Sequence, residues 1–127
     1  MNVNDVSGQI IDSAMKVHTV LGPGLLESAY EACLLFELHR RGLEARSQVP
    51  LPIQYDSVKL DVGYQLDLLV EDLVVVEIKA ANELTPLYEA QLLSYHKLSG
   101  KQVGLLINFH SVRLKDGIKR LVNNYSE

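Results

Sequence analysis

The stretch Asp67-Leu-Leu-Val-Glu-Asp-Leu-Val-Val-Val-Glu77-Ile-Lys79 places two acids and a lysine in a run otherwise apolar enough for the middle of a sheet. Leu73 to Val76 reads as a buried strand, and Glu77 and Lys79, two apart, project from one face of it. Burying charge without a partner costs several kcal/mol, so charges in such a place point to a site.

Register sharpens the reading. A two-residue loop of Glu71 and Asp72 would set Asp67 against Val76 and Glu77 against Leu66, mixing acid with hydrocarbon on both faces. A three-residue loop of Glu71, Asp72 and Leu73 pairs Val70 with Val74, Leu68 with Val76 and Leu66 with Ile78, which leaves one face wholly apolar. On the other face Asp67 then lies opposite Glu77, and Gln65 opposite Lys79. Two carboxylates about 4 Å apart repel by about 4 kcal/mol at an effective dielectric of about 20. A proton or a cation must relieve them. Magnesium, held by oxygen ligands and completed by substrate phosphates, is the usual occupant of such a pair. An ammonium beside it can orient an attacking water and stabilise charge on a phosphoryl oxygen. The structural alternative is a buried Lys79–Glu77 ion pair that only fixes the hairpin's register.

The 127 residues are expected to form one domain, residues 1–127, with one core. No stretch approaches the roughly 20 apolar residues of a membrane span. Met1 precedes polar Asn2, Asn4 and Asp5 without a secretory pattern, and the single cysteine, Cys33, reads as a small core residue in a reducing compartment. A cytoplasmic location is therefore expected. The net charge of −4 excludes a broad, lysine-coated nucleic-acid binder. Basic residues do cluster at Arg40, Arg41 and Arg46, at Lys97 and Lys101, and at Arg113, Lys115, Lys119 and Arg120. Spacing alone does not say whether these groups share a groove.

Val6, Ile10, Ala14, Val17 and Leu21 recur at helical steps, predicting a helix from Asp5 to about Val20 that stops at Gly22-Pro23-Gly24. A second helix is predicted from about Leu25 to Arg41, ended by Gly42. Val49, Leu51, Ile53 and Tyr55 alternate with Pro50, Pro52 and Gln54, reading as one edge strand. After the Asp67/Glu77 hairpin, Thr85-Pro86 opens a helix that runs to Leu98. Val103 to Phe109 is an apolar strand, and Ile118, Arg120 and Val122 form a short final strand after the Lys115-Asp116-Gly117 turn. This order describes an α/β fold in which the helix from Pro86 crosses between sheet strands.

Asp67 ahead of Glu77-Ile78-Lys79, followed by a helix with Gln91 and Tyr95, resembles the PD-(D/E)XK nuclease superfamily. Leu21-Gly-Pro-Gly24-Leu-Leu-Glu27-Ser-Ala-Tyr30 is similar to the signature of its GxxExxY family, and the similarity runs from about Ser7 through Asn123. The resemblance implies a restriction-endonuclease-like core, a mixed sheet with an antiparallel hairpin flanked by helices. Two positions depart from the family pattern. Gln65 stands where an arginine is common and Tyr88 where a histidine is common, which implies weaker phosphate contact near the hairpin.

The implied function is a metal-dependent nuclease, a hydrolase of phosphodiester bonds in nucleic acid, with DNA favoured by analogy. Asp67, Glu77 and the Ile78 carbonyl would hold Mg2+ or Mn2+, with Glu27 as a third carboxylate assisting the metal shell. Lys79 would serve the water, while Gln91, Tyr95, Tyr30 and His18 would bind or orient substrate. For Glu27 the alternative is a helix-dipole partner, and for Tyr30 and Tyr95 it is core packing. His39, His96 and His110 are scattered, so a zinc site is not expected. A rival of another class is a non-catalytic nuclease-fold module that binds nucleic acid or a protein partner. A homodimer that builds a groove is expected from the small size alone.

Overall fold

The computed structural model describes residues 1–122. Residues 123–127 of the expected domain, including Asn123 at the end of the family resemblance, lie outside them. Helix α1 (Val3–Leu21) starts at Asn2, whose side chain accepts the Asp5 N–H at 2.9 Å, and it buries Val6, Ile10, Ala14 and Val17. Helix α2 (Glu27–Arg40) buries Tyr30, Leu34 and Leu38. The chain then enters β1 (Ala45–Pro50), a small antiparallel pair of β2 (Ile53–Tyr55) and β3 (Val58–Leu60), and the hairpin of β4 (Gln65–Val70) and β5 (Val74–Lys79). Helix α3 (Pro86–Ser99) leads to β6 (Val103–Asn108), and a 3-10 turn over Leu114–Gly117 leads to β7 (Ile118–Val122).

The main sheet has the order β1-β4-β5-β6-β7, with β5 and β6 parallel and the other neighbours antiparallel. A parallel pair needs a crossover, and α3 supplies it as predicted. Alternation divides the strands between two apolar layers. Leu68, Val70, Val74, Val76, Ile78, Leu105 and Ile107 pack beneath α1 and α2. Leu69, Val75 and Leu106 face Leu92 and Tyr95 of α3.

The β4–β5 hairpin adopts the expected three-residue register, pairing Val70 with Val74 and Leu68 with Val76. Its turn is made by Glu71 and Asp72, both at φ 55, and closes with a Leu73 N–H to Val70 carbonyl bond of 3.0 Å. The ladder ends at Leu68 and Val76, so the three expected pairings beyond it, Asp67 with Glu77, Leu66 with Ile78 and Gln65 with Lys79, are not ladder pairs. Beyond that point the backbone bonds go to acid side chains, the strands part, and Leu66 turns to the α3 layer instead of meeting Ile78. Gln65 pairs with Pro50 of β1 and does not face Lys79.

The strand expected from Val49 to Tyr55 is two strands. β1 begins earlier, at Ala45, and ends at Pro50, while Ile53 belongs to a hairpin turned at Asp56, which has φ 53. Pro50 and Pro52 break the ladder but leave the apolar alternation intact, so the pattern ran across the gap. β1 is nonetheless the sheet edge that its proline demanded.

Asn108 fixes the start of the β5–α3 connection. Its Nδ2 donates to the Ala81 carbonyl at 2.9 Å and its Oδ1 accepts the Ala81 and His110 N–H groups at 3.0 and 3.2 Å. α3 itself lies against β6 at Gly104, where any Cβ would collide with the buried His96 ring. Gly104→Ala is expected to cost about 1–3 kcal/mol. Gly8→Ala, in an open position on α1, is expected to gain about 0.5–1 kcal/mol. Urea denaturation of the two variants beside the parent checks both signs.

Candidate active site at the open end of the hairpin

Asp67 and Glu77 meet where β4 and β5 separate. The Asp67 N–H donates to Glu77 Oε2 at 3.0 Å, and the Ile78 N–H donates to Asp67 Oδ2 at 2.8 Å. Each carboxylate thus replaces a missing ladder acceptor of the opposite strand and keeps its other oxygen uncommitted to these bonds. In an extended strand a residue's N–H and C=O point to the same side, so the Ile78 carbonyl is also directed toward Asp67.

Glu77 is 4% exposed. Burial, and then the charge of Asp67, push its carboxyl from an ordinary 4.5 to about 8. The Asp67 N–H and the Lys79 ammonium oppose that rise without cancelling it. The repulsion inferred from sequence is therefore present, and without a cation Glu77 holds a proton near neutral pH.

The Lys79 side chain meets α3. Its ammonium donates to Gln91 Oε1 at 3.3 Å and lies over the Tyr88 ring, 4.8 Å from the centroid. Among the described residues no ion pair joins Lys79 to Glu77 or Asp67, which removes the reading of a hairpin locked by a Lys79–Glu77 bridge. Tyr95 is one turn beyond Gln91 on α3 and buried, and its hydroxyl is raised by burial and by the neighbouring Glu77 charge. Lys79, Gln91, Tyr64, Tyr88 and Tyr95 line one cavity of about 410 Å³.

Glu27, Tyr30 and His18 complete the set of site residues expected from the sequence. Glu27 is exposed in the first turn of α2, and among the described residues no three acids, histidines or cysteines lie close enough to hold an ion. The acid that α2 brings toward the pair is Glu31, one turn further along. Its carboxyl is raised by burial first, with Asp67 and Glu27 contributing, and it accepts both Gln48 Nε2 bonds at 2.9 and 3.0 Å. The i, i+4 spacing of Glu27 and Glu31 was the available signal. Tyr30 is fully buried, stacked on Phe109 with centroids 4.5 Å apart. Its hydroxyl donates to the Gly22 carbonyl at 2.6 Å and accepts the Leu25 N–H at 3.0 Å, so it pins the turn between the helices. The His18 Nε2 lies 2.8 Å from the Ser111 carbonyl, tying α1 to the loop after β6.

Gln48 escaped the sequence reading altogether. It lies on β1 opposite Asp67, in the left-handed region at φ 53, and the β1–β4 register has no bridge there. Both neighbours of β4 thus loosen at the same residue. Five of the clustered basic residues pair with acids other than Asp67 and Glu77. Arg40 pairs with Glu37, Arg41 with Asp12, Arg46 and Lys101 with Asp72 at the hairpin turn, and Lys119 with Glu89.

The donor set fits a hard divalent ion. Two adjacent carboxylates and a carbonyl are all oxygen, and such an ion keeps water and phosphate oxygens as its remaining ligands. A cation there also offsets the burial and the Asp67 charge that together keep Glu77 protonated.

No match was found among curated proteins. Among solved structures, the crystal structure of LHK-Exo in complex with dAMP aligns with a TM-score of 0.46 and 17% identity, covering 87% of this chain and 76% of that one. The model of the PD-(D/E)XK nuclease superfamily matches residues 4–121. That match runs through nearly the whole sequence, and the chain belongs to the PD-(D/E)XK nuclease superfamily.

Proposed function

We propose that the protein is a metal-dependent nuclease of the GxxExxY type that hydrolyses phosphodiester bonds, with DNA as its substrate. The observation that carries this reading is the pairing of partly buried Asp67 with buried Glu77, which exchange backbone bonds across the parted strands beside a lysine that forms an ion pair with neither among the described residues. Asp67, Glu77 and the Ile78 carbonyl would hold Mg2+ or Mn2+. When bound, the ion supplies Lewis acidity toward a phosphoryl oxygen.

The remaining steps belong to side chains. Gln91 accepts one N–H of the Lys79 ammonium and Tyr88 faces it, so the amine is held with donors to spare. Those donors orient the attacking water and stabilise the negative charge that grows on the phosphoryl oxygens. Glu31, bordering the pair with a raised carboxyl, is suited to exchange a proton with water at this edge.

Cleavage is tested with supercoiled, linear and single-stranded DNA in Mg2+ or Mn2+. Wild-type protein should cut, and Lys79→Ala and Asp67→Asn should each lose roughly 100-fold or more. Equal cutting by the Lys79→Ala preparation would assign the activity to a contaminant. Binding without cutting would leave a nuclease fold used only as a binding module.

A second test uses the Glu77 proton. A raised carboxyl favours the folded state below its unfolded value, and that stability is lost as pH rises from about 4.5 through about 8. In chelator the melting temperature should therefore fall between pH 6 and pH 8.5, and Glu77→Gln should flatten the trend. Divalent metal must displace this proton, so the stabilisation by millimolar Mg2+ should be larger at pH 8.5 than at pH 6. A metal shift independent of pH would argue against Glu77 as a ligand.

A further inference from the structure

The cavity beside Lys79 is larger than positioning an amine requires. Its floor is Tyr95 and its walls are Tyr88 and Leu87 of α3, Ile53 of β2, and Tyr64 ahead of β4. Leu87 and Tyr64 are 74% and 47% exposed, so large apolar side chains stand open to solvent at the mouth. The Tyr64 and Tyr95 rings are tilted by 56° with centroids 6.3 Å apart. The Leu51 N–H donates to the Tyr64 carbonyl at 2.8 Å, holding the base of the β2–β3 hairpin beside the cavity.

We infer that this cavity receives one unpaired nucleobase, stacked on Tyr64, of the strand whose phosphate lies at Lys79, so that the preferred substrate is single-stranded or frayed nucleic acid. The inference rests on the nuclease reading only for the position of the phosphate. A base is tethered to its phosphate through one sugar, so a phosphate at the Lys79 ammonium brings the adjoining base to this opening. The volume of about 410 Å³ lies within the range of small-ligand pockets. A base inside a duplex is stacked and paired, and must leave the stack to enter an aromatic pocket.

Charge supports the same occupant. The chain is acidic overall, and Arg40, Arg41, Arg46, Lys101 and Lys119 are engaged by acids. With these cations paired, less positive charge is free to neutralise a duplex backbone, and the aromatic faces would add to the affinity. Gln91 and Ser94, on the cavity wall, offer hydrogen bonds to a base edge.

Binding is measured in chelator, where no cleavage occurs, using single-stranded oligonucleotides and matching duplexes that carry 2-aminopurine at successive positions. Wild-type protein should quench the fluorescence at one position of the single strand and leave the duplex unquenched. Tyr64→Leu should abolish that quench and weaken binding roughly tenfold, about the contribution of one stacked base, while Tyr64→Phe should retain both. Leu87→Glu, at a position too exposed to affect folding, should also weaken binding. Absence of quenching at every position, equal quenching in the duplex, or a Tyr64→Leu variant that behaves as wild type would each overturn the inference. The two readings fail separately. Quenching without cleavage in metal keeps the base pocket and removes the nuclease, and cleavage without quenching does the reverse.

Discussion

The exchange between Asp67 and Glu77, in which each acid accepts a backbone N–H of the opposing strand, is the constraint on which the rest of the molecule depends. A regular ladder would bring the two backbones together and leave the side chains above and below the sheet. Here the carboxylates take the place of ladder carbonyls, so the strands open without orphaning a donor. That substitution keeps charged oxygen in the apolar interior at a tolerable cost, and it turns Leu66 into the opposite layer. The parting of the strands and the position of the acids are one event.

The surrounding elements hold that opening. Tyr30 ties the Gly22-Pro23-Gly24 turn to the core through Phe109, which sets the entry of α2 over the sheet and so the position of Glu31. Asn108 clips the segment after Lys79 to the end of β6. The Gly104 surface lets α3 settle closely enough for Gln91 to reach the lysine. These are packing roles, yet each acts on a residue of the site.

Much of this was legible in the residues. The demand for one wholly apolar face selected the hairpin register, and helical spacing in α1 with the start and stop residues of α2 and α3 placed the three helices to within a turn. What was hidden had two causes. Alternation carries no mark where a strand ends and another begins in a different sheet, so β1 and β2 merged across Pro50-Leu51-Pro52. Side chains that reach across space, such as Gln48 toward Glu31 or His18 toward Ser111, depend on backbone geometry far away in sequence. Glu27 was singled out by a motif, and Glu31, one turn further along the helix and unmarked by that motif, is the acid whose carboxyl is coupled to Asp67 and Glu77.

The left-handed backbone at Gln48 has a consequence beyond catalysis. β1 is an outer margin of the main sheet, and a row of free backbone groups at such a margin invites a neighbour's strand. The twist at Gln48 interrupts that row, and two residues later Pro50 offers no N–H at all. Growth of the sheet from molecule to molecule is disfavoured along this border.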